Sequence, residues 1–322
     1  MNAVVQIRNL RKSYPIYGLW GKFLPPRGWQ KALADVSLDL ERSETYGLVG
    51  ESGCGKSTLA RSILGLVKPD GGEVLYKGRD LTRLSDRQFR TLRRDLQMVF
   101  QNTLSSLNPR KRVGELLEEP LLAQRMGNRS QRCEKIVAAM RGVGLSEEYY
   151  FRWPHELSGG QLQRLGIARA LIVEPRVVVC DEPVSALDVS IQAQVLNTLL
   201  ELQRRMKLTM LFISHDIGVV RVMSHRIGVM YVGTLVEEAA TDELFARPLH
   251  PYTRALFDSV PDYKETGRSR PALRGEPPLH DDAFRGCVFH TRCPLAQKRC
   301  FAETPPLRRL ESGRRVACHL AE

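Results

Sequence analysis

The chain contains 322 residues, of which 43% are hydrophobic and 26% charged, and its formal net charge is +12. This length allows a full core and more than one domain or subdomain. No apolar run approaches the ~20 residues that span a bilayer, so we expect no membrane-spanning segment, and the excess of Arg and Lys indicates only a general preference for polyanions.

The first residues, MNAVVQIRNLRKSY, lack the apolar core and the cleavage site of a secretory signal. We therefore expect a cytoplasmic protein, in which thiols stay reduced. Its cysteines are then expected to be free or bound to metal rather than joined in disulfides.

Short apolar runs alternate with helical patterns along the chain, which is typical of an α/β fold. The predicted strands are VVQI (4–7), YGLVG (46–50), LQMVF (96–100), VVVC (177–180) and MLFI (210–213). Between about residues 102 and 172 helical patterns dominate, which predicts a helical subdomain inserted into the sheet domain. Residues 189–206 repeat apolar side chains at helical spacing and predict a core-facing helix.

An aromatic segment, residues 15–30, follows the first predicted strand and contains Trp20, Phe23 and Trp29. Such rings on a surface loop could contact a partner or lipid. Packing back onto the domain is the favoured interpretation, because large aromatic side chains contribute strongly to cores.

A glycine-rich loop, GESGCGKST, follows the strand YGLV and precedes an apolar-periodic segment. Its glycines let successive N–H groups point at phosphate oxygens, and the following helix adds its positive end. In this motif the Lys reaches the β- and γ-phosphates and the Ser hydroxyl ligates magnesium. The nucleotide-binding residues expected from this loop are Gly50, Ser52, Gly53, Cys54, Gly55, Lys56, Ser57 and Thr58.

A second glycine-rich stretch, LSGGQ, lies at the start of the helical pattern QLQRLGIARAL. It predicts a second helix N-terminus suited to a phosphate, formed by Ser158, Gly159, Gly160 and Gln161. If the first loop already encloses the triphosphate, the second serves a nucleotide held by another subunit. The sequence therefore predicts two subunits that enclose ATP between them.

Two adjacent carboxylates follow the apolar strand VVVC. Nucleotide hydrolysis requires a carboxylate for the metal and a group that orients the attacking water. Asp181, at the strand end, is the expected magnesium ligand, directly or through water. Glu182 is the expected general base.

The C-terminal stretch is rich in Pro, Arg and Gly and predicts a small, loop-rich appendage. It carries four of the seven cysteines, Cys287, Cys293, Cys300 and Cys318. In a reducing compartment these thiols indicate a shared soft metal centre rather than disulfides. An iron–sulfur cluster, zinc and unliganded thiols all remain open, although the closely spaced pairs usual for zinc are missing. His290 and His319 are possible further ligands, with simple proximity the favoured interpretation.

Over residues 1 to about 240 the sequence resembles the ATP-binding cassette (ABC) superfamily. The motifs occur in the family's order: GESGCGKST, VFQ, LSGGQ, VVVCDEP, SALD and ISHD. The resemblance implies a P-loop ATPase domain, here residues 1–245, with a mixed sheet core and the inserted helical subdomain. It also implies that Gln101 couples the magnesium site to a transporter partner, that Asp188 communicates across the dimer, and that His215 contacts the γ-phosphate. Tyr14 matches the ring that stacks on adenine, although a core aromatic would look the same in sequence.

More narrowly, the chain resembles the F-type ATPase subunits of dipeptide and oligopeptide importers, in the peptide and nickel branch. The stretches that carry this are SSLNPRKRVGELLEEPL, RWPHELSGGQ, SALDVSIQAQVLN, HPYTRAL and the cysteine-bearing tail, residues 246–322. The resemblance implies a related ATPase as partner, two transmembrane permease subunits, an extracytoplasmic solute-binding protein, and a peripheral position at the cytoplasmic face of the inner membrane. It implies ATP and Mg²⁺ as ligands, and it favours a [4Fe–4S] cluster over Zn²⁺ in the tail.

Three alternatives remain open at this stage. The importer could carry nickel chelates or other small solutes, since specificity lies mostly in other subunits. A soluble ATPase of the same fold could act on nucleic acid, but such relatives usually carry two cassettes or a long coiled-coil insertion, and this sequence has neither, so no nucleic-acid partner is expected. A regulatory module could sense iron or redox state through the tail.

Overall fold

The structure is a computed structural model that describes residues 3–17, 25–258, 275–281 and 284–321. The chain divides into two compact units. Among the described residues, the first unit comprises Leu40–Thr45 and Arg83–Ser214, and the second comprises Ala3–Asp39, Tyr46–Thr82 and the chain from His215 onward. None of the described helices is long and apolar enough to cross a membrane.

Strands and helices alternate along the described chain. The strands are β1 (Ala3–Ile16), β2 (Gly28–Glu41), β3 (Thr45–Val49), β4 (Gly71–Tyr76), β5 (Arg79–Asp80), β6 (Leu96–Val99), β7 (Val177–Asp181), β8 (Thr209–Ile213), β9 (Arg226–Tyr231), β10 (Thr234–Ala240), β11 (Arg308–Arg309) and β12 (Arg315–Val316). The helices are α1 (Lys56–Ile63), α2 (Asp86–Leu92), α3 (Thr103–Ser106), α4 (Val113–Ala123), α5 (Arg129–Gly142), α6 (Gly159–Leu171), α7 (Val189–Met206), α8 (Ile217–Met223), α9 (Thr241–Ala246), α10 (Pro251–Asp258) and α11 (Lys298–Ala302). The predicted α/β fold is confirmed.

The first unit is built on three parallel strands, with β7 between β6 and β8. Every residue of β7 and β8 is buried, as parallel strands covered on both faces require. From β6 to β7 the chain forms four α-helices and two short 3₁₀ segments, Glu147–Phe151 and Pro154–Glu156. Helix α7 covers the segment predicted from helical spacing and buries Val195, Leu199 and Leu202.

In the second unit, β1 lies between β2 and β4 in an antiparallel sheet that ends with β5. A separate set of strands places β3 parallel to β9, followed by β10 and β12 in antiparallel pairing. The C-terminal tail therefore contributes a strand to the sheet, because Val316 of β12 pairs with Glu237 of β10. Two-residue strands are too short to show an alternating pattern, so the sequence predicts only loops there.

A buried ionic cluster attaches the tail to the rest of the second unit. Glu237 is fully buried and accepts hydrogen bonds from the backbone N–H groups of Leu249 and His250 and from the Arg314 guanidinium. Arg314 also donates to the carbonyl oxygen of Arg247. A buried carboxylate needs such donors to offset its lost hydration, so this cluster fixes how the tail folds against β10.

Candidate functional site

The loop between β3 and α1 has a conformation that only glycine permits at two positions. Gly50 and Gly55 have φ angles of 150° and 106°. A Cβ on Gly50 would collide with the carbonyl oxygen of Met230, and one on Gly55 with the carbonyl oxygen of Ala32. Close backbone packing on both sides therefore fixes the path of the loop, and this path requires glycine at both positions.

Lys56 begins helix α1 and is 5% exposed. Its Nζ donates hydrogen bonds to the carbonyl oxygens of Gly50 and Glu51, at 2.7 and 3.0 Å. The ammonium group thus lies inside the curl of the loop, where a phosphate-binding lysine is required. Burial raises the pKa of the neighbouring Cys54 thiol, with Lys56 acting in the opposite direction.

Glu51 of the loop is held by two residues from the C-terminal part of the chain. Its backbone N–H donates to the Tyr252 hydroxyl at 2.9 Å. Its carboxylate accepts two hydrogen bonds from the Arg292 guanidinium, at 2.8 and 3.0 Å. Sequence reasoning missed all three residues. Tyr252 lies in HPYTRAL, a stretch that carries the family resemblance. Arg292 lies 241 residues from Glu51 in sequence and belongs to no recognised motif.

The two acidic residues predicted for the site, Asp181 and Glu182, lie at the carboxyl end of β7. Asp181 is 5% exposed, and Glu182 follows it with φ 47°, an uncommon conformation for a residue with a side chain. The Glu182 N–H donates to the carbonyl oxygen of Ile213 at 3.0 Å. Gln101 Nε2 donates to Glu182 Oε2 at 3.0 Å and to Ser185 Oγ at 3.4 Å. The structure thus brings the predicted Gln101 and Glu182 together and adds Ser185, which sequence reasoning missed.

The LSGGQ stretch forms the predicted helix N-terminus. Ser158 is the N-cap of α6, and its Oγ accepts from the Gln161 N–H while Gln161 Oε1 accepts from the Ser158 N–H. Ser158 and Gly159 are exposed, whereas Gly160 is buried against Ile191 of α7. Gln161 Nε2 also donates to the Tyr149 hydroxyl at 2.9 Å. The stretch therefore presents two exposed residues on a rigidly capped helix.

Three further predicted residues are placed individually. Tyr14 lies near the end of β1 with 40% of its surface exposed and with Lys12 Nζ 5.6 Å from the ring centroid. His215 is exposed between β8 and α8, and Asp188 is the exposed N-cap of α7. Of the aromatic segment, Trp29 is 49% exposed in β2, and Trp20 and Phe23 lie outside the described residues.

The four tail cysteines lie close enough to affect one another electrostatically. Burial, as the largest cause, and the neighbouring Cys300, Cys318 and Cys293 together raise the pKa of Cys287 to about 11. Among the residues that the structure describes, however, no three His, Cys, Asp or Glu side chains are arranged to hold a metal ion. His290 Nδ1 and His319 Nε2 each hydrogen-bond a backbone carbonyl oxygen, at 2.7 and 2.9 Å.

Comparison with known proteins identifies the family. The ABC transporter family model matches residues 33–185, and the model for the C-terminal region of oligopeptide/dipeptide transporters matches residues 236–300. The oligopeptide transport ATP-binding protein AppF of Bacillus subtilis is 47% identical over 99% of this chain and 97% of its own length. The chain belongs to the ABC transporter ATPases. The di/tripeptide transport ATP-binding protein DppF of Pseudomonas aeruginosa is 46% identical to this ABC ATPase, over 100% of this chain and 99% of its own length.

A solved structure supports the same assignment of the fold. The ATP-binding cassette MJ0796, in a dimeric post-hydrolysis state bound to ADP and phosphate, superposes with a TM-score of 0.66 and 30% identity. The match covers 74% of this ABC ATPase and 98% of that chain. The predicted family, fold and ATPase activity are thereby confirmed, and membership of a transporter family implies transmembrane permease partners.

Proposed function

We propose that this ABC ATPase drives the import of short peptides. The observation that carries the proposal is similarity along the whole chain, including the tail, to subunits named for oligopeptide and for di/tripeptide transport. The match of residues 236–300 to the C-terminal region of oligopeptide/dipeptide transporters supports the same cargo. Import of nickel chelates or other small solutes is the alternative, since the cargo is selected mostly by other subunits.

We assign the steps of ATP hydrolysis to the following residues. The loop from Gly50 to Thr58 binds the phosphates through its N–H groups and Lys56, and Tyr14 stacks on adenine. Glu182 accepts a proton from the water that attacks the γ-phosphate, and Gln101 orients its carboxylate through the hydrogen bond to Oε2. His215 contacts the γ-phosphate.

Magnesium supplies positive charge that neutralises the phosphates when it is bound. We propose that Ser57 and Asp181 hold it, with Gln101 alongside. A hydroxyl, a carboxylate and an amide provide the hard oxygen ligands that this ion prefers. Burial of Asp181 at the end of β7 supports its part in this set, because a buried carboxylate favours a cationic partner.

We propose that hydrolysis requires a second, related ATPase. Exposure of Ser158 and Gly159 on a capped helix N-terminus supports this, because such a terminus binds a phosphate presented from outside. Asp188 is exposed and would communicate with that subunit. The proposed assembly adds two transmembrane permeases and an extracytoplasmic solute-binding protein, with the ATPases at the cytoplasmic face of the inner membrane.

The test is ATP-dependent uptake in proteoliposomes that contain both ATPases, the permeases and the solute-binding protein. With the wild-type chain, a labelled dipeptide accumulates. Glu182→Gln keeps ATP binding but lowers hydrolysis and uptake at least about a hundredfold, because the base is lost. Glu174→Gln is the matched control: Glu174 is also left-handed, with φ 56°, but forms an exposed ion pair with Lys135, so its uptake is unchanged.

Three results would contradict parts of this proposal. Undiminished hydrolysis by the Glu182→Gln variant would remove Glu182 as the base. Uptake of a nickel chelate without uptake of peptide would replace the cargo. Co-purification with nucleic acid and without membrane subunits would replace transport with a role on nucleic acid.

We further propose that Cys287, Cys293, Cys300 and Cys318 hold a soft metal group, a [4Fe–4S] cluster or alternatively zinc. Four cysteines within one loop-rich tail support a cluster, which takes four thiolates. Such a group would stabilise a segment of low apolar content.

Anaerobically purified protein should be brown and contain iron. Cys300→Ser should lose both, whereas Cys133→Ser, exposed and outside the tail, should keep both. A colourless, zinc-loaded protein would contradict the cluster, and a metal-free, folded protein would contradict the group altogether.

A further inference from the structure

The phosphate-binding loop contains an acidic residue, Glu51, whose negative charge opposes the binding of a polyanion. Glu51 follows Gly50 directly and lies within the loop that we propose binds the phosphates. An uncompensated carboxylate at this position would repel the phosphates. The residue that neutralises it is therefore part of how the loop works.

The Arg292 guanidinium provides this neutralisation through a two-pronged ion pair. Its two terminal nitrogens donate to the two carboxylate oxygens of Glu51, and one of them also donates to the Tyr231 hydroxyl at 3.2 Å. The Arg292 side chain is 6% exposed and that of Glu51 is 23% exposed. Paired bonds of this kind fix direction as well as distance, so the Glu51 side chain is held in one orientation.

An aromatic cluster contacts both Arg292 and the phosphate-binding loop. The rings of Tyr231, Tyr252 and Phe289 contact one another at centroid distances of 4.5 to 5.4 Å. Tyr231 receives the Arg292 hydrogen bond, and Tyr252 accepts the backbone N–H of Glu51. Phe289 belongs to the same tail segment as Arg292, so the cysteine-bearing tail reaches the loop by packing as well as by charge.

We propose that Arg292 is a positioning residue for ATP binding, which acts from the C-terminal tail by holding Glu51 away from the phosphates. The inference rests on the proposed role of the loop in phosphate binding. Arg292 touches neither the nucleotide nor the reacting atoms in this proposal. It makes nucleotide affinity depend on the fold of a tail that has no part in the ATPase motifs.

The experiment measures the dissociation constant of mant-ADP with Mg²⁺ for the full-length protein and its variants. Arg292→Ala weakens binding by at least about tenfold, because a partly buried carboxylate in the loop loses its partner. Arg292→Lys loses less, since an ammonium neutralises the charge without the paired geometry. Arg299→Ala is the matched control: Arg299 lies in the same tail and forms an exposed ion pair with Glu303, so binding stays within about twofold of wild type.

A double variant separates positioning from general loss of structure. If Arg292 acts through the charge of Glu51, Arg292→Ala combined with Glu51→Gln binds mant-ADP more tightly than Arg292→Ala alone. Additive losses would indicate a purely structural role and overturn the proposal. Unchanged binding by a folded Arg292→Ala protein would overturn it too. If Arg292→Ala does not fold, Arg292→Lys and Glu51→Gln give the same comparison.

A separate variant distinguishes failure of this inference from failure of the proposed loop function. Lys56→Ala abolishes mant-ADP binding if the loop is the phosphate site. Binding that survives Lys56→Ala would remove the loop assignment itself. Binding that is lost with Lys56→Ala but unchanged with Arg292→Ala would leave the loop function intact and remove only the role of Arg292.

Discussion

Two glycine-rich helix N-termini in this chain are built in different ways. Helix α1 begins after Gly55, which has a left-handed conformation and provides no side-chain cap. Helix α6 begins after Ser158, whose capping box with Gln161 satisfies N–H groups locally. At the start of α1 no side chain caps the N–H groups, whereas at the start of α6 the capping box pairs the N–H groups of Ser158 and Gln161.

The two termini also differ in which residues hold them in place. The loop before α1 depends on residues far along the chain, from Met230 and Tyr252 to Arg292. The start of α6 depends on its own capping box and on packing against α7. The loop proposed to bind nucleotide is thus held by distant parts of the second unit, whereas the terminus proposed to face another subunit is held by nearby residues. Variants that separate these supports test the difference.

The largest expected effect on stability is at the packed glycine of the second terminus. A Cβ on Gly160 would collide with Cγ2 of Ile191, a methyl group on a stiff branch, whereas a Cβ on Gly159 would lie 3.5 Å from Leu187. We expect Gly160→Ala to lower the free energy of unfolding by up to about 3 kcal/mol, as overpacked cores do. Gly159→Ala should change it by less than about 1 kcal/mol. Urea unfolding of both variants checks this, and equal stabilities would show that α6 does not depend on its packing against α7.

The next largest effect concerns His250, which lies beside Tyr252, the residue that accepts a hydrogen bond from the phosphate-binding loop. His250 is buried two residues before Tyr252, and its Nδ1 accepts the Tyr252 N–H at 3.0 Å. Burial lowers the pKa of His250 to about 3. The unfolded chain takes up a proton near pH 6.5 and the folded chain only near pH 3, so stability is present above pH 6.5 and is lost as the pH falls through this window.

This shift predicts a loss of about 2 kcal/mol in the free energy of unfolding between pH 7 and pH 5. The loss is the part of the wild-type pH dependence that disappears in His250→Asn. His155→Asn, at an exposed position, should keep the wild-type dependence because its ring is hydrated in both states. Parallel curves for the wild type and His250→Asn would show that this histidine is not the acid-sensitive element.

Much of the first unit could be predicted from sequence. Strands β7 and β8 are continuous apolar runs, and α7 has a clear helical period, so each was found. Strand β10 was missed because Glu237 and Glu238 interrupt its apolar pattern although both are buried. Their partners, Arg314 and Arg315, lie 77 residues further along the sequence. A local sequence pattern does not predict an ion pair between residues so far apart in sequence.

The candidate site shows the same limit. Lys56 and Glu182 were predicted because each belongs to a motif with a fixed order of residues. Gln101 was also predicted from its motif, but its hydrogen bond to Glu182 was not, and the structure shows it. Arg292 belongs to no motif, and its proposed role depends on a side-chain contact with Glu51, 241 residues away in sequence. Sequence thus predicts the residues expected at the chemistry, but not the residues that hold them in place.

The smallest expected effect isolates what Ser158 does beyond capping. Ser85 caps α2 with the same capping box, to Gln88, and both serines are exposed. Ser85→Ala and Ser158→Ala should therefore each lower the free energy of unfolding by about 1 kcal/mol. Only Ser158→Ala should also reduce ATP turnover in the assembled transporter, by about tenfold, because one hydroxyl contact to the partner's nucleotide is lost. Equal turnover by the two variants would mean that Ser158 is only a helix cap, and that this terminus is not offered to another subunit.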